Sequence, residues 1–540
     1  MKQFTKKQLP IWLSICLAGG AVAPGFATAS TPDSANALIL EQGVMALNQQ
    51  TLVEQLIARN AQVLFSQLQT ELAQHQILQE TGAFEPVFFS NVRYDDVRRQ
   101  AEASDRSSPR LSPDFSVFEE QRSQYEIGVN SRLRSGADLR VSYQTLHREN
   151  NTIGQITSNP SNNAEWTGSI NLVITQPLMR GLGATQQQSR IAQAELEHQV
   201  LISQYQQQLM RSMFDGLSAY WQLYRVEQVQ QMRVESLENA QKTYADLERR
   251  VRAGQLPETT LLEARSNILS RQAELDASLH AYQDAKTRLT TLLNISAAEQ
   301  DVTIKLLDEP VATALALQGS FEAYFDTVLA SWPSYAVALK RADVQMEQLK
   351  SARDELKPQL DLLMGYSTNG LGFDYGKSAE KQFSTDFPSW FAGLSLTMPL
   401  QGNKRARGQE LAALTRLSQS EIDAQAIRTG LANDLQNRLI QVERSHDELM
   451  GYQDNVALLK ELLRIERELF DAGSRRLSDV YDREDRLNRG MQQYIDAKVK
   501  FEIAKLSLQL AEGSLLGNFG ISVGDGSSLS ASPVQPVVQR

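Results

Sequence analysis

Residues that could carry out chemistry are few in this chain and far apart. The single cysteine is Cys16, and no phosphate-binding glycine-rich loop occurs along the 540 residues. The five histidines fit no metal-ligand spacing and lie at His75, His147, His198, His280 and His446. The sequence therefore predicts no enzyme, no metal site and no cofactor. The sequence shows no nucleotide site either.

Two carboxylates have a spacing with a chemical consequence. Asp479 and Asp482 are three residues apart in a helical stretch, so both lie on one face of the helix. Carboxylates held close together repel one another and attract cations. Taken alone, the pair is either an ordinary solvated acidic face or a cation-attracting site.

The first 29 residues have the pattern of a secretory signal peptide. Lysines at positions 2, 6 and 7 precede a short apolar segment, Ile11 to Ala23, and Ala27-Thr28-Ala29 fits a cleavage site. The apolar segment is too short for a membrane span. Its removal would take away the only cysteine and change the formal net charge from −10 to −13. We therefore expect a secreted chain without disulfides and, because it is acidic, without a nucleic-acid partner.

Two long polar stretches without proline dominate the rest of the chain, Leu178 to Leu256 and Leu400 to Ser532. Apolar residues recur in both at alternating steps of three and four, which is typical of helices packed along a left-handed seam. Each first helix would be about 100 Å long at a rise of 1.5 Å per residue and would end at a Gly-centred turn. The alternative for these stretches alone is a plain soluble coiled coil.

Shorter helical segments complete a repeated architecture, in which one long helix lies beside two shorter helices laid end to end. The predicted segments are a signal peptide at 1–29, a helical segment at 30–82, strands with an extra hairpin at 83–177, a helical hairpin at 178–294, a linker at the midline at 295–319, a helix at 320–356, a strand hairpin at 357–399, a second helical hairpin at 400–520 and a disordered tail at 521–540.

Strand segments precede both long stretches. Apolar residues alternate along Leu360 to Tyr366 and along Leu394 to Met398, with Trp166 and Trp390 near strand ends. Segments of about ten alternating residues flanked by aromatics are typical of membrane-spanning strands, whereas periodicity alone also fits the edge of a soluble β-sandwich. No later segment is apolar for about 18 residues, so a mature membrane protein would have to use strands. Four to six strands cannot close a barrel, which predicts an oligomer.

An additional hairpin is predicted between Tyr125 and Leu146, around Ser135-Gly136. The sequence leaves open whether it joins the other strands or stands outside them.

Several phrases of the sequence resemble one known family. They are the strand-to-helix phrase Gln176–Gly183, the helix-to-strand phrases Gly82–Pro86 and Leu356–Pro358, and the two turn phrases Arg252–Leu262 and Phe470–Asp482. Through them the chain resembles, from about Leu38 to Gly520, the outer-membrane efflux protein family of TolC-like export ducts. The resemblance implies an α+β membrane protein: a homotrimer whose β-barrel of about 12 strands lies in outer-membrane lipid and continues as a long periplasmic α-helical barrel.

The same resemblance implies a function and partners. The chain would be the passive exit duct of a tripartite efflux or type I secretion system, in the outer membrane and extending into the periplasm. Its partners would be a periplasmic adaptor (membrane fusion) protein and an inner-membrane pump of the RND or ABC type, with the cargo undetermined. The alternative is a structural or adhesin-like trimeric coiled-coil surface protein, which would have no use for the paired strands.

Site residues follow from the resemblance, residue by residue. Asp479 and Asp482 would form acidic rings at the periplasmic constriction, and Arg475, Phe470 and Thr260 would form the gate. In the family an acid at the position of Thr260 pairs with the arginine at 475, so this chain departs from the pattern, with Glu258 or Glu263 as possible substitutes. The adaptor would dock on Ala253, Gly254 and Gln255 and on Ala472, Gly473 and Ser474. The strand-to-helix turns would be Pro177 with Leu178 and Pro399 with Leu400.

Overall fold

A computed structural model describes residues 44–103, 116–153, 164–295, 303–311, 320–384, 386–523 and 529–531, with only the backbone described in the last range. The expected signal peptide at 1–29 lies outside these residues. The strands are β1 (Val44–Leu47), β2 (Val87–Gln100), β3 (Val117–Arg132), β4 (Asp138–Asn150), β5 (Ala164–Pro177), β6 (Thr303–Leu306), β7 (Gln359–Gly372), β8 (Pro388–Thr397), β9 (Ile521–Val523) and β10 (Leu529–Ala531).

The helices are α1 (Gln49–Arg59), α2 (Ala61–Thr81), α3 (Thr185–Arg252), α4 (Thr259–Leu292), α5 (Phe321–Ser331), α6 (Pro333–Glu355), α7 (Tyr375–Phe383), α8 (Lys404–Asp471), α9 (Leu477–Glu512) and α10 (Leu515–Asn518). Long helices and an antiparallel sheet confirm the predicted α+β class. None of the described helices combines the length and the apolarity needed to cross a membrane.

One six-stranded antiparallel sheet forms an end of the molecule, in the order β2-β3-β4-β5-β7-β8. The predicted extra hairpin is β3–β4, and it joins this sheet in the middle. Three chains that built a barrel of about 12 strands would each supply four strands, so that expectation does not fit a sheet of six. The outer strands, β2 and β8, have no neighbour on their outer sides among the described residues.

The two faces of the sheet differ in polarity. One cross-strand row is apolar and exposed on every strand: Phe88, Val129, Val141, Leu172, Tyr366 and Trp390. The next row lies on the opposite face and is mainly small or polar: Phe89, Gly128, Ser142, Asn171, Ser367 and Ser389. The alternation in the sequence therefore produces one apolar face and one polar face, as period-two strands require.

The long helices begin at one end of the sheet, where β5 and β8 finish. The helices α3 and α8 have 68 residues each, which corresponds to about 100 Å. Helix α3 packs against α4 along one half of its length and against α2 along the other. Asn60 joins these two shorter helices: its Oδ1 accepts hydrogen bonds from the first turn of α2, and its Nδ2 donates to the Leu292 carbonyl of α4 at 2.9 Å.

The second half repeats this arrangement with α8, which packs against α9 and α6. Pro333 begins α6 as its first residue, and Gly513, with φ +72°, ends α9 beside it. The helical segments predicted at 30–82 and 320–356 are therefore each broken into two helices, at Asn60 and at Trp332. A capping side chain ends one helix and starts the next, and proline is favoured at the first helical position.

The main core lies about halfway along α3. Met213, Leu217, Tyr220 and Trp221 are buried there against α1, α4 and the short parallel pair β1–β6. Ile521 and Val523 of β9 pack against the same core, and β9 pairs with β10. The prediction of disorder from residue 521 onward was therefore wrong for 521–523 and 529–531, because the β-branched residues of β9 have an apolar surface to cover.

A short helix that the sequence did not predict, α7, interrupts the second strand hairpin. It lies on the apolar face of the sheet against Gly168, Gly370 and Gly372, where an added Cβ would clash. A Cβ on Gly370 would come within 2.2 Å of the Ser378 carbonyl oxygen. These three glycines allow the helix to approach the sheet, and Tyr375 packs edge-on against Trp166.

Candidate functional site: the hairpin tips and the necks

The two turns farthest from the sheet, here called the tips, are Ala253–Gln255 and Ala472–Ser474. Gly254 and Gly473 have φ +72° and +75°, so both positions favour glycine. The N–H of Gln255 donates to the Arg250 carbonyl at 2.9 Å, and that of Ser474 donates to the Leu469 carbonyl at 2.9 Å. This is the Schellman pattern, formed twice in corresponding places. All six tip residues are exposed, as expected for a docking surface.

A small apolar cluster holds the tips together. Leu247, Ala264 and Leu477 are buried in it, and Phe470 and Tyr481 pack against them. The first hairpin (α3–α4) and the second hairpin (α8–α9) both contribute to this cluster. Phe470, the expected gate residue, therefore lies at the contact between the hairpins rather than in solvent.

Arg475 has an acidic partner that the resemblance did not suggest. Arg475 Nε lies 3.4 Å from Glu466 Oε1, and Arg483 Nε lies 3.4 Å from Glu466 Oε2. Glu466 is 7% exposed and belongs to the same hairpin. Thr260 is buried, and its N–H donates to the Pro257 carbonyl at 3.1 Å. The acid that pairs with Arg475 is thus Glu466, and neither Glu258 nor Glu263 is needed as a substitute.

The two expected constriction residues differ in their surroundings. Asp479 is half-buried in the first turn of α9, and its Oδ2 accepts a hydrogen bond from the Arg476 N–H at 3.2 Å. An acid here also suits the positive end of the helix dipole. Asp482 is exposed one turn further on. Asp479 therefore has a capping role of its own, whereas Asp482 is free to face a solvent-filled space. In the described part of the chain, no three potential metal ligands come together.

Polar ties between the first hairpin and α9 are a feature that the sequence analysis missed. Arg271 pairs with Asp485, and its side chain is only 5% exposed. Arg233 donates to Gln492 at 3.0 Å, and Arg225 donates to Asp496 at 3.0 Å. Asp485 follows Asp482 by three residues, and this spacing was the available signal. Its partner could not be identified without the packing of the helices.

Tyr481 lies among these charges at the tip. Burial raises the pKa of its phenol to about 12, with Glu484 and Glu263 adding to the shift and Arg271 opposing it. The hydroxyl group therefore stays protonated and neutral under ordinary conditions.

The strand-to-helix turns, here called the necks, join the sheet to the long helices. In the first neck, which includes Pro177 and Leu178, the Leu178 N–H donates to the Leu360 carbonyl at 2.7 Å. The Gly181 N–H donates to Asp354 Oδ2 at 2.7 Å, which ties this neck to α6. Gly136 of the β3–β4 turn approaches so closely that an added Cβ would lie 2.3 Å from the Gly181 carbonyl oxygen. The extra hairpin is therefore seated on the first neck.

The second neck follows β8 and includes Pro399 and Leu400. Leu400 is 91% exposed, although it is a large apolar side chain. Asn403 caps α8: its Oδ1 accepts a hydrogen bond from the Ala406 N–H at 3.4 Å, and its Nδ2 donates to the Glu355 carbonyl at 3.1 Å. The two necks are thus both anchored to the end of α6.

Comparison with known proteins agrees with this geometry. Residues 325–514 match the family model described as outer membrane efflux protein. No curated protein matches the chain by sequence. Similar solved structures include a membrane protein from Pseudomonas aeruginosa, at 15% identity, covering 88% of this chain and 91% of that chain, with a TM-score of 0.62. Another is the Campylobacter jejuni CmeC outer membrane channel, at 12% identity, covering 88% and 90%, with a TM-score of 0.59. The open state of the Neisseria gonorrhoeae MtrE outer membrane channel gives 15% identity, coverage of 86% and 88%, and a TM-score of 0.61.

The fold is that of outer-membrane channels, with long helices continued by an antiparallel sheet. The tip phrase Phe470–Asp482 lies inside the region that matches the outer membrane efflux protein model.

Proposed function

We propose that the protein is the passive exit duct of a tripartite efflux or type I secretion system, built from three copies of the chain. The observation that carries the proposal is the combination of a sheet with an exposed apolar face and helices of about 100 Å that end in two bare tips. The sheet would lie in outer-membrane lipid, and the helices would cross the periplasm.

The tips would receive the periplasmic adaptor, and an inner-membrane pump of the RND or ABC type would supply the energy. Ala253 to Gln255 and Ala472 to Ser474 support this role because they are exposed and held rigidly by their Schellman bonds. Three copies of Asp479 and Asp482 would line the constriction, and the cluster around Phe470 would hold it closed. Drugs, other small molecules and proteins are all compatible cargoes.

Affinity capture from cross-linked membranes, followed by mass spectrometry, tests this function. We expect an adaptor and a pump to co-purify with the wild-type chain and to be lost when Gly254 and Gly473 are both replaced by arginine. Substitution of two exposed positions away from the tips, Glu461→Arg and Arg464→Glu, is the control. A chain that stays monomeric in the membrane, or that captures no inner-membrane component, would contradict the proposal. The alternative, an adhesin-like trimeric coiled coil, predicts a trimer that captures no inner-membrane component, and it gives the six-stranded sheet no role.

A further inference from the structure

The strand count departs from the expected barrel and has a consequence for the duct. All six strands are paired in one continuous sheet, and the central β3–β4 hairpin is paired along 13 residues of each strand. The apolar face extends to both edges, where Val92 of β2 is 71% exposed and Leu394 of β8 is 68% exposed. The extra hairpin is thus an integral part of the surface that would face lipid.

The open edges are compatible with one another. In an antiparallel sheet of six strands, β2 and β8 run in opposite directions, so β8 of one chain can pair antiparallel with β2 of the next. The Asn369 N–H donates to the Phe387 carbonyl, which assigns the odd-numbered N–H groups of β8 to β7 and the even-numbered ones to the open edge. Unpaired N–H groups cannot face hydrocarbon, so a neighbouring strand has to cover them.

The stagger of the sheet matches a closed barrel. The row that begins at Val87, the first residue of β2, reaches Phe391 on β8, six residues before the end of that strand at Thr397. Six residues rise about 20 Å, and five strand spacings measure about 24 Å, so the strands tilt by about 40°. Barrel strands tilt by about 35–45°.

The width of the sheet also matches the helices below it. Beside the necks, α2, α3, α6 and α8 lie side by side, about 32–40 Å across at 8–10 Å per helix. Six strands tilted by about 40° occupy about 38 Å of circumference, whereas four would occupy only about 25 Å. A sheet of six strands per chain is therefore about as wide as the four helices that it joins.

From these observations we propose that three copies close an 18-stranded barrel whose lumen is wider than that of a 12-stranded one. The inference rests on the trimer of the proposed function. Barrel diameter grows roughly linearly with strand number, so the lumen is about 1.5 times wider, and barrels of 16–18 strands leave an aqueous channel. Size selection then falls on the tips, and cargo that passes the constriction meets no second barrier at the sheet.

Cysteine cross-linking tests the strand count, because the chain beyond its expected signal peptide has no cysteine. Asn91→Cys on β2 and Ser395→Cys on β8 both lie on the polar face, near the necks. With a short bis-thiol reagent, the double variant is expected to give covalent trimers, and each single variant is not. Asn171→Cys with Ser367→Cys, which face each other within one chain, is the control for folding and labelling.

The outcomes separate this inference from the proposed function. Trimers linked through Ser395→Cys and Ser142→Cys of β4 would place β2 and β3 outside the barrel and overturn the count of 18. A native trimer without links through Asn91→Cys would overturn it as well. A chain that shows no trimer by native mass spectrometry would instead contradict the proposed function.

A deletion measures the width. Removal of residues 117–150 takes out β3 and β4 and leaves β2 and β5 in their original directions. Poly(ethylene glycol) added from the sheet side of a planar bilayer should enter the wild-type barrel at about twice the cross-section that the deletion variant admits, because area scales with the square of diameter. Equal polymer cut-offs in two correctly assembled trimers would contradict the inference.

Discussion

Glu466 controls the charge balance of the second tip, since two arginines of its own hairpin flank one buried carboxylate. Glu466→Gln would leave Arg475 and Arg483 facing each other without an acid between them. Both arginines reach solvent, so the cost is about 1 kcal/mol per chain rather than that of a fully buried pair. We expect a looser tip and a resting single-channel conductance that is raised, with the open-to-closed ratio shifted about five-fold.

Glu468→Gln is the matched control for this substitution. Glu468 pairs with Arg464 on the surface, at 64% exposure of its side chain. Its loss should leave the conductance unchanged. If both variants behave alike, Glu466 is not a tip-stabilising residue.

Asp482 gives the cleanest test of the acidic constriction. Asp482→Asn removes three carboxylates from a trimer and touches no described cap, whereas Asp479→Ala also removes the acceptor for the Arg476 N–H. We expect lower cation selectivity and weaker block by trivalent cations for Asp482→Asn, with an unchanged melting temperature. Asp479→Ala should show the same electrical change and, in addition, a loss of about 1 kcal/mol of helix stability. Unchanged selectivity in both variants would assign these acids to an ordinary solvated face.

Thr260 provides a third test at the residue scale. The resemblance implied that an acid at this position would form an ion pair with Arg475. In the structure, however, Thr260 is 8% exposed and Arg475 is paired with Glu466. Thr260→Asp would therefore bury a carboxylate and loosen the tip, so resting conductance should rise. Thr260→Val, which keeps the shape without the charge, should have a smaller effect. A lower conductance for Thr260→Asp would restore the ion pair suggested by the sequence comparison.

At the scale of elements, α7 is held against the sheet by close approach to glycine. Gly370→Ala would place a methyl group 2.2 Å from the Ser378 carbonyl oxygen, so the helix has to move. We expect faster tryptic cleavage at Lys377 and Lys381 in the Gly370→Ala variant. Gly393→Ala, which meets no atom within 4 Å, is the control. Equal cleavage rates would show that α7 tolerates displacement without loosening.

Elements with a regular spacing of apolar residues could be predicted from the sequence. Elements that depend on contacts with distant residues could not. The two long helices follow from apolar steps of three and four, and their glycine turns from Gly254 and Gly473. By contrast, α7 has only nine residues, and it can pack on the sheet because three glycines of β5 and β7 leave space for it. The β3–β4 hairpin was predictable as a hairpin, but its membership of the sheet depends on pairing with β2 and β5. Likewise, Glu466 meets Arg475 only because the tip folds the chain back.

At the scale of the whole molecule, the open edge of β8 is where the proposed trimer would join one chain to the next. The N–H of Leu394 points away from β7, so Leu394→Pro removes a donor from the edge and leaves the pairing within the chain intact. We expect this variant to lose the proposed trimer in native mass spectrometry, while circular dichroism keeps its helical signal. Leu394→Ala, which retains the N–H, should still form trimers. Intact trimers in the proline variant would mean that β8 is not an assembly edge.

The central position of β3 and β4 bears on how such a molecule can change over evolutionary time. A hairpin adds two strands of opposite direction, so the edges β2 and β8 keep their directions and can still meet between copies. Insertion of a single strand would reverse one edge and leave the ring unable to close in the same way. The barrel of the proposed trimer can therefore gain or lose circumference only in whole hairpins, which means six strands at a time for three copies. The helices and the tips would stay unchanged.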